Sequence, residues 1–323
     1  MKKYIMLFMS AALMLSSCDD EKATQPTAAI SVDNDVLEVN ESMNLHFIGD
    51  AENVVVYTGD TDHNYELRSE SNYGLVVNKG SMTYAYTSPG LYKVVCVATN
   101  HADEGQSILT DTCSIMVRVM DDITEIERIS AAQVLYDEIF ARAVNDVDWL
   151  LPLPRKIHYK TSNPSVAMKQ KLKFYIPSLS TEVMVNKELY NVNAKYDLSS
   201  MLEITTRSHE GTTRDYRLHT LNYGEFKTFS VAGVEGSVQR TEYDYSYYEI
   251  NMSLPRGTDL SNLVPTFTLY GDNEQPYIGD VAQESGVNVV DFSSPVTYRF
   301  VVTDKNYPEI KLESTCKVTL TVD

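Results

Sequence analysis

The sequence predicts an all-β protein assembled from β-sandwiches in series, and three observations carry that reading. From Ile30 onward apolar and polar residues alternate in short runs broken by Gly, Asn, Asp or Pro, the period-two pattern of strands with one face in a core. The chain has 323 residues, more than one ordinary sandwich needs, so it divides into several domains. Hydrophobic residues make up 43% of it, enough to fill more than one core.

The first element is not part of a sandwich. Lys2 and Lys3 precede a run from Tyr4 to Leu15 that is apolar apart from Ser10, and the small residues Ser16 and Ser17 lead to Cys18. That is the layout of a secretory signal, and about a dozen apolar residues fall well short of the roughly twenty that span a bilayer as a helix. The ending Leu15-Ser16-Ser17-Cys18 resembles the lipobox of bacterial lipoproteins. The resemblance implies that residues 1–17 are a signal peptide and that Cys18 becomes the lipidated first residue, with two or more acyl chains holding the protein to a membrane. Residues 18–29 are polar and proline-bearing and read as a flexible stalk. The acidic residues directly after Cys18 resemble the signal that sends Bacteroidetes lipoproteins to the outer face of the outer membrane. The implied location is the outer membrane, lipid-anchored and exposed on the cell surface.

Residues 30–122 form the first predicted sandwich. Its most informative stretch is Tyr86-Thr87-Ser88-Pro89-Gly90-Leu91-Tyr92-Lys93-Val94. Pro89-Gly90 makes a turn, after which Tyr92, Val94, Cys96 and Ala98 point to one face and Lys93, Val95, Val97 and Thr99 to the other. With Tyr57-Thr58-Gly59-Asp60 upstream, this order resembles the PKD family of Ig-like domains, departing from it where Val56-Tyr57-Thr58-Gly59-Asp60-Thr61 replaces the usual Trp-x-Phe-Gly-Asp-Gly. The resemblance implies a PKD-like, Ig-like β-sandwich.

Residues 123–222 form a second, divergent Ig-like sandwich. The stretch 123–145 places Ile129, Ala132, Leu135, Ile139 and Ala143 close to helical spacing, and it is compatible with a helix or with the opening strand of the sandwich. Trp149-Leu150-Leu151-Pro152-Leu153-Pro154 ends any helix, because proline removes a donor and extends the residue before it. Strand-like runs follow at KLKFYI, TEVMV, LEITTR and DYRLHTL, separated by turns at Ser162-Asn163-Pro164 and His209-Glu210-Gly211.

Residues 223–323 form the third sandwich. Ile250, Met252 and Leu254 alternate inward, Pro255 to Asp259 make a turn, and Val296, Tyr298, Phe300 and Val302 line a face after Pro295. The segments Pro255-Arg256-Gly257-Thr258-Asp259-Leu260 and Asp291-Phe292-Ser293-Ser294-Pro295-Val296-Thr297-Tyr298 resemble the Ig-like repeats of Bacteroidetes surface lipoproteins of the DUF5018 type. The second sandwich reads as a worn copy of the same unit, with Val183-Met184-Val185 parallel to Ile250-Asn251-Met252, Asp197-Leu198-Ser199 to Asp259-Leu260-Ser261, and Tyr216-Arg217 to Tyr298-Arg299.

Charge narrows the partners. The formal net charge is −18, and without Lys2 and Lys3 the balance is 25 basic against 45 acidic residues. So acidic a surface repels phosphate backbones and anionic headgroups, which argues against nucleic acid and leaves membrane attachment to the lipid. Nothing nominates catalysis: the six histidines are scattered, no Gly-x-Ser-x-Gly elbow is present, and paired carboxylates are always available in so acidic a chain. No cofactor is implied, and no Cys-His zinc spacing occurs. Asp60 and Asp62 open a calcium-type loop, but Tyr65 and Ser71 stand where an EF-hand needs Gly and Glu, so the pair is only a weak candidate for metal. Cys96 and Cys113 face each other if residues 94–100 and 109–117 form a hairpin about 103–106, either as a disulfide or as small apolar side chains in a core.

Tyrosine is the residue that departs most from average, with 22 against nine Phe and one Trp. If extended, Tyr243, Tyr245 and Tyr247 share a face, and a planar ring with a polar rim suits the C–H face of a sugar. Those three and Trp149 are the candidate ligand-binding residues, with a buried packing role preferred for Trp149. The family resemblances imply a non-enzymatic surface lipoprotein that binds glycan beside an outer-membrane polysaccharide uptake system, its inner domains spacers and its distal domain the binder. The alternative from another class is a structural or adhesive protein that meets protein partners through exposed strand edges.

Overall fold

The computed structural model describes residues 24–102, 107–134, 137–156, 166–241 and 244–323, and it contains two compact units, one ending at Met120 and one beginning at Asp121. The signal peptide, Cys18, the turns at 103–106 and 162–164, and Tyr243 lie outside the described residues. Among the described residues there is no α-helix, and no helix is long and apolar enough to cross a membrane. The chain is an all-β protein of tandem Ig-like sandwiches.

In the first unit, one sheet has the order β1 (Ile30–Val32), β3 (Ser42–Phe47), β6 (Ser81–Ala85). The other runs β2 (Val36–Glu38), β8 (Ser107–Met120), β7 (Gly90–Ala102), β4 (Asn53–Tyr57), β5 (Leu75–Val76), with β2 parallel to β8. The alternation expected along 92–98 is present: Val94, Cys96 and Ala98 are fully buried, and Val95 on the opposite face is buried too. Residues 24–29, read as part of a flexible stalk, are instead tied to this unit. Asn100 donates to the carbonyl of Thr24, Asp111 accepts from the amide of Ala28, and Thr27 bridges Asp50.

The second unit holds two sandwiches with separate cores. In the first of these, β9 (Arg128–Val134), β10 (Asp137–Phe140), β13 (Lys169–Tyr175) and β16 (Tyr196–Asp197) form a sheet of order β10-β9-β13-β16. It packs on a sheet of β11 (Arg142–Ala143), β12 (Asp148–Leu153), β18 (Thr213–Asn222), β17 (Leu202–Arg207), β14 (Glu182–Val185) and β15 (Glu188–Leu189), in that spatial order. The stretch left open between helix and strand is therefore strand. Ile129 and Ala131, two apart, are fully buried, and β9 gains ladder partners on both sides. In the proline-broken run, Trp149 to Leu153 lie on the strand β12, parallel to β18. Pro152 is tolerated there because β11 pairs only with Trp149 and Leu150, leaving no neighbour on that side to miss its N–H.

The last sandwich has β20 (Val234–Glu235), β19 (Phe226–Val231) and β23 (Thr266–Leu269) against β21 (Ser237–Arg240), β22 (Tyr247–Leu254), β27 (Lys311–Val322), β26 (Val296–Thr303), β24 (Glu274–Ile278) and β25 (Val281–Ala282). Apart from β16, which has no counterpart among the described strands, this repeats the strand order of the preceding sandwich, with β22 parallel to β27 as β12 is to β18. The repeat read from the sequence is offset, however. Val183 to Val185 lie on β14, whose counterpart is β24, whereas Ile250 to Met252 lie on β22, the counterpart of β12. The matching Asp-x-Ser segments are local turns: Asp197, Asp259 and Asp291 each accept from the amide of the Ser two residues on. Asp197 and Asp291 each stand just before counterpart strands, β17 and β26, whereas Asp259 lies between β22 and β23, so pairing Asp197 with Asp259 joins places that do not correspond.

Only residues 223–225 separate β18 from β19, so the two sandwiches abut. Leu150 and Leu221 of one meet Val302, Ile310 and Leu312 of the other, with Tyr223 and Tyr307 at the margin. Gly224 is required by close approach: a Cβ there would stand 2.8 Å from the Cβ of Phe300. In the last core, Phe226 touches Phe229, Phe267, Tyr298 and Phe300 with centroid separations of 4.8 to 5.2 Å. Phe226→Ala should therefore cost ~3–5 kcal/mol in denaturant unfolding, as large-to-small changes in packed cores do. A loss below ~1 kcal/mol would contradict the packing described.

Candidate functional site

The outward face of β17 and β18 builds a recess in the second unit. Inward, Leu202, Ile204, Tyr216 and Leu218 fill the core, so by alternation Glu203, Thr205, Asp215 and Arg217 face out. Glu203 stands opposite Arg217, and Thr205 opposite Asp215 with a 2.6 Å hydrogen bond from its hydroxyl. Lys187 closes one side. It sits with Asn186 in a two-residue hairpin turn, φ 69° and 52°, and the Asn186 side chain accepts from the Glu203 amide at 3.0 Å. Tyr307 of the last sandwich closes the other side. The groove so formed has a volume of about 610 Å³ and is also lined by Met201 and Val147.

Tyr307 is held there by a buried charge cluster across the seam. Asp148 accepts Nε and Nη2 of Arg217 at 2.6 and 2.8 Å, the Asn145 amide at 2.9 Å, and faces Nε2 of His219 at 3.0 Å. The other ring nitrogen of His219 faces Asp304 at 3.2 Å, in the last sandwich. Asp304 also accepts from the amides of Asn306 and Tyr307, which shapes their loop. The Tyr307 ring then packs edge-on against His219 at 4.7 Å and under the Arg217 guanidinium at 4.8 Å. Burial pushes Asp148 up, but Arg217, Asn145 and His219 outweigh it and hold the carboxyl at about 2.

Of the tyrosines singled out by the sequence, the described pair Tyr245 and Tyr247 does not share one extended strand. β22 begins at Tyr247, and Tyr245 lies in a turn made by Asp244, which accepts from the amide and hydroxyl of Ser246 at 2.8 and 2.6 Å. Tyr247 is half-buried and donates to Glu249 at 2.6 Å, a bond that pushes its phenol up to about 12. Both tyrosines border a cavity of only about 10 Å³, room for one water. Trp149 is buried at 8% exposure in the core, which leaves no ring face for a ligand and agrees with the packing role preferred for it. Asp60 gives its two oxygens to Thr58 and Tyr84, and Asp62 lies in a turn at φ 67°. Among the described residues no group of three or more His, Cys, Asp or Glu could hold a metal.

Residues 226–318 match the family model SGBP_N, "SGBP, N-terminal". The SGBP_N match spans β19 to most of β27 and includes Tyr307. No curated protein matches the chain. Among solved structures, it is similar to the fibronectin(III)-like modules of Clostridium thermocellum CbhA, at 9% identity and a TM-score of 0.19, covering 60% of this chain and 95% of that one. It is similar also to carbohydrate-binding modules of the β-sandwich superfamily, at 11% identity and 0.24, covering 61% and 84%. A third is the Sidekick-1 immunoglobulin domains 1–5, at 9% and 0.21, covering 94% and 60%. The fold itself rests on the strand order above.

The charge cluster predicts a specific acid response. A carboxyl held below its unfolded value of about 3.9 stabilises the fold above that pH and loses the contribution as pH falls through about 2. Asp148→Asn should be less stable than wild type at neutral pH, and urea unfolding should show the gap shrinking between pH 4 and pH 2. A gap independent of pH over that window would rule the cluster out as its source.

Proposed function

We propose that the protein is a non-enzymatic glycan-binding protein of the bacterial cell surface. The observation that carries this reading is the SGBP_N match over residues 226–318, from the surface glycan-binding protein family. The groove, whose wall Tyr307 lies within the matched residues, supports the reading. At about 610 Å³ it is of ligand-pocket size. Carboxylates at Glu203 and Asp215 accept sugar hydroxyls, Lys187 donates, and Met201 and the Tyr307 ring offer apolar surface to C–H faces. The proposal keeps the lipid anchor at Cys18, the outer-membrane surface location and an associated polysaccharide uptake system, all supported by the lipobox-like ending and the family match. It also keeps the PKD-like reading of the first unit and the DUF5018-type reading of the repeats.

Affinity electrophoresis against a polysaccharide panel, followed by titration with the best ligand, tests this. Wild type should be retarded by at least one neutral polysaccharide. Lys187→Ala and Glu203→Ala, both exposed side chains, should each weaken binding about tenfold, ~1.4 kcal/mol. Tyr247→Ala, outside the groove, should bind as wild type, and no new reducing ends should appear. Absence of retardation across the panel would refute glycan binding. Retardation that survives both groove changes would move the site elsewhere.

A further inference from the structure

The first unit carries a pair of thiols that neither the glycan reading nor the groove uses. In the β7–β8 hairpin Cys96 and Cys113 are direct cross-strand partners, within a register unbroken from Gly90↔Val119 to Ala102↔Ser107. Directly opposed residues of an antiparallel pair have Cα atoms about 4.5 to 5.5 Å apart, inside the roughly 4.4 to 6.8 Å that a disulfide spans. Opposed residues also share a face of the sheet, and the two thiols are near enough to hydrogen-bond to each other. Both are free in this structure, Cys96 buried and Cys113 half-buried. The third described cysteine, Cys316, is buried in the last core of the other unit and does not compete for either.

We propose that Cys96 and Cys113 are a covalent modification site, closing to a cross-strand disulfide when the protein meets a small disulfide oxidant such as oxidised glutathione. The half-buried Cys113 reacts first. Its thiolate attacks one sulfur of the oxidant, a mixed disulfide forms, and one small thiolate leaves. Cys96 then gives up its proton, attacks the Cys113 sulfur and expels the second small thiol. Two protein thiols and one oxidant disulfide thus become one protein disulfide and two small thiols, so atoms and electrons balance. Burial and the neighbouring Cys113 push the Cys96 thiol up to about 12, which makes the second step slow at neutral pH and faster as pH rises. The bond would fasten the central hairpin of the unit across its two longest strands.

Trypsin makes the test direct, because residues 94–118 contain both cysteines and no internal Lys or Arg. The full chain, first reduced, is incubated with oxidised glutathione, denatured, alkylated without reductant and digested. The expected peptide 94–118 is lighter by two hydrogens than the reduced form and takes no alkylating reagent, yet takes two after reduction with dithiothreitol. Its yield should rise faster at pH 9 than at pH 7. A peptide that is doubly alkylated after prolonged oxidation, or one that stops as a glutathione adduct on Cys113, would overturn the proposal.

Discussion

The organisation of the second unit depends on one buried carboxylate. Asp148 lies at the start of β12 with 3% of its side chain exposed, and burying such a charge without partners would cost several kcal/mol. Arg217, Asn145 and His219 supply those partners from neighbouring elements. Because His219 reaches on to Asp304, the same cluster that satisfies Asp148 binds one sandwich to the next. The groove follows from this: its floor is the β17–β18 face, and its far wall, Tyr307, stays in place only while Asp304 and His219 hold their loop against that face.

Around the cluster the seam is apolar, with Leu150, Leu221, Val302, Ile310 and Leu312 excluding water from the charges. The arrangement divides labour. The apolar seam supplies non-directional attraction, and the charged pairs, which have strict geometry, fix which way the two sandwiches meet. A three-residue connection at 223–225 leaves little freedom for any other arrangement, and Gly224 admits the close approach to Phe300 that so short a connection demands.

Much of the fold was legible in the sequence because strands with one buried face write their alternation directly. Ile250, Met252 and Leu254, or Tyr298, Phe300 and Val302, are buried as their period implies. Two kinds of signal were less decisive. The spacing in residues 123–145 left helix and strand open, and β9 is strand because ladder partners on both sides outweigh local propensity. The Asp-x-Ser segments mark turns that correspond before β17 and β26 but not at Asp259, and the same turn at Asp244 breaks the extended geometry that would have aligned Tyr245 with Tyr247. The groove was not legible at all. Lys187, Glu203, Asp215 and Tyr307 are ordinary surface residues in four separate stretches, and only strand pairing and the Asp304 loop bring them together. Asp148 left one faint trace, an acid directly before an apolar run, without any hint of its partners.

Distance measurement by paired spin labels tests the central claim, that the two sandwiches of the second unit are locked so as to form the groove. With labels at the exposed positions Glu188, next to Lys187, and Glu309, two residues from Tyr307, wild type should give one narrow distribution, and Asp304→Ala should broaden it. A broad or two-peaked distribution in wild type would contradict the lock, and with it the groove as a preformed site.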